Sequence, residues 1–251
     1  LLVQVPVLAL PRHPGLPSFL PRGLAQIEVP GRVAIHVQGR RLREELVDQA
    51  AGHPFLLEEL LRCGLAHAFI CPGSRSSALI AAVAASRCPH TIATDERGAA
   101  FMAVGYARAT RCCAAVIVTS GTAVANLLPA VVEAATDRVP LLLLTADRPP
   151  ELRDTGANQT VPQVGLLHPL RWFKDMPCPN PAVPLESLLS DASYALARAS
   201  GAPCGPVQLN FMLREPLAPS PQPWPREVLF KSRRVARWLY TKQPFTSYLR
   251  P

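Results

Sequence analysis

The residue with the clearest chemical potential is Glu96, which lies in the stretch Thr-Asp-Glu-Arg-Gly at positions 94–98. A short apolar run precedes this stretch and an Ala-rich pattern with helical spacing follows it. Glu96 is therefore predicted where a strand hands over to a helix. A carboxylate there lies near the first-turn N–H groups and the positive end of the helix dipole. Two interpretations follow: Glu96 stabilises its own helix, as first-turn acids commonly do, or it acts on a bound group.

Three further polar loops follow apolar runs, at positions 72–76, 119–122 and 147–159. In a parallel sheet such loops emerge together beyond the carboxyl ends of the strands, where ligands bind. Besides Glu96, this edge gathers Ser74, Arg75, Thr122, Arg148, Asn158 and Gln159. Two arginines with hydroxyl and amide groups suit a ligand that carries carboxylates, because a guanidinium binds a carboxylate in a two-pronged geometry.

Each of these signals has a structural alternative. The arginines would instead form loop-pinning salt bridges, for example with Asp147, Glu151 or Asp154. The loops around Gly73 and Gly121 would hold an anion at a helix N-terminus, or would simply form turns with an N-cap. Neither loop matches the P-loop or the G-x-G-x-x-G pattern. The six histidines show no metal-ligand spacing, so no metal site is predicted on this chain.

The elements that must position these residues alternate between strand and helix. The predicted strands cover 67–70, 91–94, 114–118, 140–145, 171–174 and 205–210. The predicted helices cover the end of 41–63, then 77–85, 96–110, 122–136 with a kink at Pro129, and 183–200. This alternation with short loops predicts an α/β fold, namely a doubly wound parallel sheet with helices on both faces.

Proline content suggests the domain limits. Residues 1–40 contain six prolines and one acid, Glu28, so we expect a linker or the edge of an upstream region. Residues 41–217 are predicted to form the α/β domain. Proline returns after it, and 218–251 are expected to be a linker toward a missing domain. Because the chain starts with Leu, we expect a fragment or a processed protein, and the acid-poor start would also fit the remains of a transit peptide.

Composition excludes several classes of protein. The chain has 251 residues, 49% of them hydrophobic, and a net charge of +8, which favours anionic partners. No run of Lys and Arg exceeds two and no zinc-finger or RNA-binding signature occurs, so nucleic-acid binding is not expected. The seven cysteines include no C-x-x-C pair, which favours a reducing compartment. Residues 112–132 are uncharged, but their polar break at 119–122 predicts strand, turn and helix rather than a membrane span.

Five motifs in order carry a specific resemblance: Cys-Pro-Gly-Ser-Arg-Ser at 71–76, Thr-Asp-Glu-Arg-Gly at 94–98, Val-Thr-Ser-Gly-Thr-Ala-Val-Ala-Asn at 118–126, Leu-Thr-Ala-Asp-Arg-Pro-Pro-Glu-Leu at 144–152 and Gly-Ala-Asn-Gln at 156–159. Together they resemble the N-terminal, pyrimidine-binding domain of the SEPHCHC synthases, over roughly residues 53–217. These are the thiamine-diphosphate enzymes of menaquinone and phylloquinone synthesis. Other thiamine enzymes, such as acetolactate synthases, usually have Ser-Gly-Pro-Gly where this chain has Ser-Gly-Thr-Ala at 120–123.

The resemblance implies a reaction and a site. Enzymes of that family decarboxylate 2-oxoglutarate and add the remaining carbanion equivalent to isochorismate, with thiamine diphosphate and Mg²⁺. Glu96 matches the glutamate that hydrogen-bonds N1′ of the cofactor's aminopyrimidine, which makes it the catalytic residue. The resemblance further implies that Pro72, Gly121 and Thr122 contact the cofactor. It also implies that the substrate pocket is lined by Ser74, Arg75, Arg148, Asn158 and Gln159.

The same resemblance implies that half of the site lies elsewhere. In the family a C-terminal domain with a Gly-Asp-Gly signature holds the diphosphate and metal, and the site forms between subunits of an oligomer. No Gly-Asp-Gly occurs here, so we expect little cofactor affinity and no turnover from this chain alone. The alternatives are a non-catalytic remnant or dimerisation module, and another thiamine-dependent decarboxylase or carboligase. The expected location is a plastid for a plant or algal protein, and the cytoplasm otherwise.

Overall fold

The computed structural model describes residues 53–180, 182–217 and 232–248. The chain divides into two compact units, residues 1–36 and 37–251, and every described residue belongs to the second unit. The predicted N-terminal linker at 1–40 therefore lies outside the described residues, as do the first part of the predicted domain and much of the predicted linker at 218–251.

Within the described residues, six parallel strands form the centre of the domain. They are β1 (His67–Ile70), β2 (His90–Ile92), β3 (Ala114–Val118), β4 (Leu141–Asp147), β5 (Trp172–Met176) and β6 (Pro206–Met212). Their order in the sheet is β2-β1-β3-β4-β6-β5, and every neighbouring pair is parallel. All residues of β3 and β4 are buried, as expected for apolar strands that are covered on both faces.

Helices cover both faces of this sheet. They are α1 (His53–Arg62), α2 (Ser77–Ala84), α3 (Glu96–Thr110), α4 (Thr122–Ala125), α5 (Leu128–Thr136), α6 (Leu185–Ser200) and α7 (Arg233–Tyr240). One core joins α1, α2 and α6 to the sheet, and a second core joins α3, α4 and α5 to the other face. The predicted doubly wound α/β fold is confirmed.

The helix predicted at 122–136 is interrupted. It forms two helices, α4 and α5, with Asn126 and Leu127 between them. Pro129 lies in the first turn of α5, where its missing N–H leaves no hydrogen bond unmade. The break therefore precedes the proline, and the predicted kink at Pro129 is replaced by a helix start.

Residues 112–132, the uncharged stretch, contribute β3, α4 and the beginning of α5. Among the described residues, no helix has both the length and the apolar character that a membrane crossing requires. All seven cysteines are free thiols, and Cys71, Cys88 and Cys113 lie in the core.

The described end of the chain packs on the domain. We call residues 232–248 the C-terminal strap; it contains α7, whose N-cap Ser232 accepts a hydrogen bond from the N–H of Val235. Its apolar residues pack with α1 and α6 in a third core, which contains Phe55, Leu185, Leu189, Val235, Trp238 and Leu239. This part of 218–251 is thus a packed element rather than the linker expected there. The apolar side chains at 235, 238 and 239 have helical spacing, and the surrounding prolines obscured it.

One buried carboxylate holds the strap in place. Glu59 of α1 is 0% exposed and accepts hydrogen bonds from Trp238 Nε1 at 2.5 Å, from the N–H of Phe245 at 2.7 Å and from Ser193 Oγ at 2.6 Å. Arg62, one turn further along α1, lies 4.1 Å over the Trp238 ring and donates to the Trp238 carbonyl at 2.8 Å. The strap is therefore tied to one face of α1 at two points, Trp238 and Phe245.

Candidate functional site

All predicted site residues lie beyond the carboxyl ends of parallel strands, at one edge of the sheet. The loop after β1 contains Pro72 to Arg75, and the loop after β2 leads into Glu96. The chain continues from β1 outward to β2 and then returns to β3 on the other side of β1. Such a reversal opens a crevice between the two neighbouring loops, and this is where ligands of open α/β sheets bind.

Glu96 is the first residue of α3, but it does not cap that helix. The N-cap is Asp95, whose Oδ1 accepts a hydrogen bond from the N–H of Gly98 at 2.6 Å. Glu96 is half-buried and, among the described residues, its carboxylate forms no hydrogen bond or ion pair. Because Asp95 already serves the helix N-terminus, the Glu96 carboxylate remains available to a ligand.

The negative charge of Glu96 acts on the thiol of Cys71, the residue that follows β1. Burial raises the pKa of the Cys71 thiol to about 11, and the negative charges of Glu96 and Asp95 add to that effect. Glu96 and Arg148 are further apart, because β1 and β3 lie between β2 and β4. Three inter-strand spacings amount to about 14 Å. The edge therefore has a carboxylate at one side and the arginines toward the other.

Arg75 and Arg148 are buried close together. Arg75 is 5% exposed, and it donates to the Leu213 carbonyl at 2.8 Å and to Glu215 Oε1 at 3.3 Å. Its buried Nε has no hydrogen-bond partner. Arg148, 8% exposed, donates to Ser120 Oγ at 2.9 Å and to the Asn158 carbonyl at 2.7 Å. Neutral oxygens thus hold most of both guanidinium groups.

The salt-bridge alternative fails for Arg148. Within the described part of the chain no carboxylate lies within ion-pair distance of its guanidinium, since Asp147 pairs with Arg153 and Glu151 pairs with Arg214. Burial, together with the positive charge of nearby Arg75, lowers the pKa of Arg148. Two like charges held together in a poorly solvated place attract an anion.

The other predicted residues have exposed side chains on the same loops or on neighbouring ones. Ser74 is exposed in a short 3-10 turn, and Asn158 and Gln159 are exposed in the loop after β4. Pro72 and Thr122 are exposed on the neighbouring loops. The backbone of the loop also has structural duties, because the Gln159 carbonyl accepts a hydrogen bond from Ser120 Oγ at 3.2 Å.

Gly121 differs from these residues because it faces inward. Its φ of 82° favours glycine, and a Cβ would lie 3.1 Å from the Gln159 carbonyl oxygen. Its N–H donates to Gln163 Oε1 at 2.9 Å, so this amide is not free for an anion. The structure therefore gives Gly121 a role in bringing two loops together, and the exposed Thr122 beside it remains open to a ligand.

Sequence reasoning missed a buried amide network behind these loops. Gln163, 1% exposed, joins the Gly121 turn to the Ala146 carbonyl at 3.0 Å and to Asn210 Oδ1 at 2.8 Å. Asn210 in turn donates to Asp147 and Asp175, the two carboxylates that Arg153 bridges. A signal was present, because β6 carries amides at 208 and 210 in an otherwise apolar strand. Alternating polar residues in a buried strand indicate a polar network on one face.

Comparison with known proteins identifies the type of domain. Residues 51–166 match the family described as "Thiamine pyrophosphate enzyme, N-terminal TPP binding domain", so this part of the chain is a domain of that class.

Within that class the chain is a relative of the 2-succinyl-5-enolpyruvyl-6-hydroxy-3-cyclohexene-1-carboxylate (SEPHCHC) synthases, so the predicted family is confirmed. It is 55% identical to the synthase of Rubrobacter xylanophilus over 168 residues, which is 66% of this chain and 29% of the relative. It is 48% identical to that of Salinibacter ruber over 198 residues, 78% of this chain and 33% of the relative. It is also 44% identical to "Protein PHYLLO, chloroplastic" of Arabidopsis thaliana over 211 residues, 82% of this chain and 12% of that protein. The chain thus spans a third or less of the length of these relatives.

Proposed function

We propose that this chain is the pyrimidine-binding part of a thiamine-diphosphate-dependent SEPHCHC synthase, which uses 2-oxoglutarate and isochorismate. The observation that carries the proposal is the unpartnered carboxylate of Glu96 at the same sheet edge as the buried pair Arg75 and Arg148. When bound, thiamine diphosphate supplies the carbanion chemistry that removes carbon dioxide from a 2-oxo acid and joins the remainder to an acceptor.

Glu96 is suited to hold the aminopyrimidine ring of the cofactor. The half-buried Glu96 carboxyl group has no hydrogen-bond partner among the described residues, so it can hold a pyrimidine ring nitrogen that carries a proton by accepting a hydrogen bond from it. This bond would favour the ring form in which the neighbouring amino group has given up a proton. Asp95 keeps α3 capped, so Glu96 can take this role without unfolding the helix. Pro72 and Thr122 expose their side chains on the adjoining loops and are proposed to contact the cofactor beside it.

Arg75 and Arg148 are suited to receive the carboxylates of the substrates. Both proposed substrates are dianions, and buried guanidinium groups bind carboxylates more strongly than exposed ones because water competes less. The carbonyls and hydroxyl that hold the two arginines fix their position without neutralising their charge. Ser74, Asn158 and Gln159 add exposed polar groups around the pair.

The proposed enzyme needs a partner for the rest of its site. We propose that a diphosphate-binding domain supplies the Mg²⁺ site, and that the site is completed in a homo-oligomer. Support comes from the chain's partial coverage of its relatives and from apolar side chains on α3, where Phe101 is 43% and Met102 is 51% exposed. The chloroplastic relative supports a plastid location if this is a plant or algal protein.

The test compares Glu96→Gln with Asp95→Asn, a matched loss of one negative charge at the next position. The chain is mixed with the separately expressed remainder of the Rubrobacter xylanophilus relative, and carbon dioxide release from 2-oxoglutarate is measured with isochorismate present. We expect Glu96→Gln to lose roughly 10²- to 10⁴-fold in rate. Asp95→Asn should stay near wild type, because Asn is an equally good N-cap.

Size-exclusion chromatography of each mixture measures whether the two variants assemble equally with the remainder of the relative. Equal rates for the two variants would refute the role of Glu96. A separate measurement, calorimetry of thiamine diphosphate and magnesium with the chain alone, should show no micromolar binding. Micromolar affinity there would contradict the need for a partner domain.

A further inference from the structure

A charged side chain of the segment after β6 lies against the arginine pair. Glu215 Oε1 is 3.3 Å from Arg75 Nη2, and it is the only carboxylate within ion-pair distance of either Arg75 or Arg148 among the described residues. The charge of Glu215 also acts on Arg148, where it opposes the lowering of the pKa that burial and Arg75 produce. Glu215 is thus a counter-charge that acts on both arginines.

The two side chains of this ion pair differ in exposure, so only the Glu215 side chain can move away easily. The side chain of Arg75 is 4% exposed, whereas that of Glu215 is 73% exposed. The backbone around Glu215 is fixed independently, because the N–H of Leu213 donates to the Asp147 carbonyl at 3.0 Å and Arg214 pairs with Glu151 through two hydrogen bonds. The Glu215 carboxylate can therefore swing into solvent while the backbone and Arg75 stay in place.

Arg75 also retains an unused donor. Its Nε is buried without any hydrogen-bond partner, although Nη1 and Nη2 are both engaged. A single exposed carboxylate oxygen at 3.3 Å does not use the two-pronged face of a guanidinium. A ligand carboxylate that reached Nε and Nη2 together would satisfy the orphaned donor, which Glu215 leaves unsatisfied.

We propose that Glu215 is a built-in stand-in for a substrate carboxylate, which occupies the arginine pair until a dicarboxylate displaces it. This inference rests on the proposed function of Arg75 and Arg148. While no ligand is bound, Glu215 supplies a counter-charge to the buried arginine pair. A dicarboxylate must displace the Glu215 carboxylate, and the free energy of that displacement lowers the affinity for the dicarboxylate. The weak, exposed contact sets the size of that effect, since such ion pairs contribute about 0.2–1 kcal/mol, or roughly 1.5- to 5-fold in affinity.

The experiment measures binding of 2-oxoglutarate and of succinate to the 251-residue chain by calorimetry or ligand-observed NMR. Glu215→Gln should bind both dicarboxylates about 1.5- to 5-fold more tightly than wild type. Glu215→Asp keeps the charge but shortens the reach, so it should also bind more tightly. The matched control is Glu151→Gln, which removes the same charge from the neighbouring pair with Arg214; screening should keep its effect within about 1.5-fold.

The outcomes separate this inference from the function on which it rests. Affinity in Glu215→Gln that is unchanged or lower than in wild type overturns the stand-in, and a lower affinity shows instead that Glu215 orients Arg75. If Arg148→Ala abolishes binding in that case, the proposed substrate role of the arginines still stands. Binding that Arg148→Ala leaves unchanged, or no binding by any variant, refutes the substrate role and the stand-in together.

Discussion

Replacing Glu59 by Gln should loosen the C-terminal strap. Among the described residues, Glu59 Oε2 accepts a hydrogen bond only from the indole N–H of Trp238, whereas Oε1 accepts from Ser193, from the N–H of Phe245 and from Cys63. The single oxygen of a glutamine would take the place of Oε1, which accepts the larger number of hydrogen bonds. Its NH₂ group would then face the indole N–H of Trp238, and these two groups are both donors. A buried hydrogen bond to a charged acceptor contributes about 1.5–3 kcal/mol, and the remaining bonds weaken when the charge is lost. We expect the free energy of unfolding to fall by about 2.5–5 kcal/mol.

Urea unfolding gives this change directly, and hydrogen exchange at the Phe245 amide reports whether the strap itself is affected. The matched control is Glu133→Gln, because Glu133 pairs with Arg108 in solvent; its change should stay below about 1 kcal/mol. A second test is a double-mutant cycle with Trp238→Phe, which removes the indole donor. In that background Glu59→Gln should cost about 1.5–3 kcal/mol less.

Two results would refute the reasoning about Glu59. The first is additivity of the two substitutions within about 0.5 kcal/mol, which would show that Glu59 and Trp238 are not coupled. The second is a large loss of stability with unchanged exchange at the Phe245 amide. That combination would assign the effect to α1 and α6 rather than to the strap.

Three further predictions follow from the site and the surface. Gln163→Leu leaves the Gly121 N–H without its acceptor in a sealed place and should lower the free energy of unfolding by about 2–4 kcal/mol in urea; a loss below about 0.5 kcal/mol would contradict the network. Burial raises the pKa of Cys63 to about 12, so the folded state favours its neutral thiol. Its contribution to stability is then complete below pH 9 and is lost as the pH rises toward 12, and the stability difference between wild type and Cys63→Ala should narrow over that range. A stability difference between wild type and Cys63→Ala that stays constant from pH 9 to 12 would contradict the raised pKa of Cys63. Met102→Lys should reduce self-association in sedimentation velocity at unchanged thermal stability, because Met102 is half-exposed; unaltered association would exclude this face as an interface.

The sequence was sufficient for elements whose signals are local. The strand at 114–118 and the helix at 96–110 have the predicted bounds, because a β-branched apolar run and an N-capped Ala-rich pattern each specify one structure. The α7 helix was missed because its three buried residues are stabilised by α1 and α6, which are far away in the sequence.

For the site, the sequence predicted which edge of the sheet carries the polar side chains, but not their hydrogen-bond partners. Position after a parallel strand is enough to bring Arg75 and Arg148 to the same edge. It does not reveal that the Leu213 carbonyl, 138 residues from Arg75, holds that guanidinium. Nor does it reveal that Asp95 rather than Glu96 caps α3, since both are acids at the start of one helix. Such pairings depend on tertiary packing, which local patterns do not specify.

The hydrogen bond between Glu59 and Trp238 also constrains how the domain is completed during synthesis. The two residues are 179 positions apart, so at roughly 5–20 residues per second a ribosome makes Glu59 about 9–36 s before its partner. Until then the carboxylate has no indole donor and must keep its water, which leaves the adjoining face of α1 open on the nascent chain. Closure of that face is therefore timed by the emergence of the C-terminal strap from the ribosome.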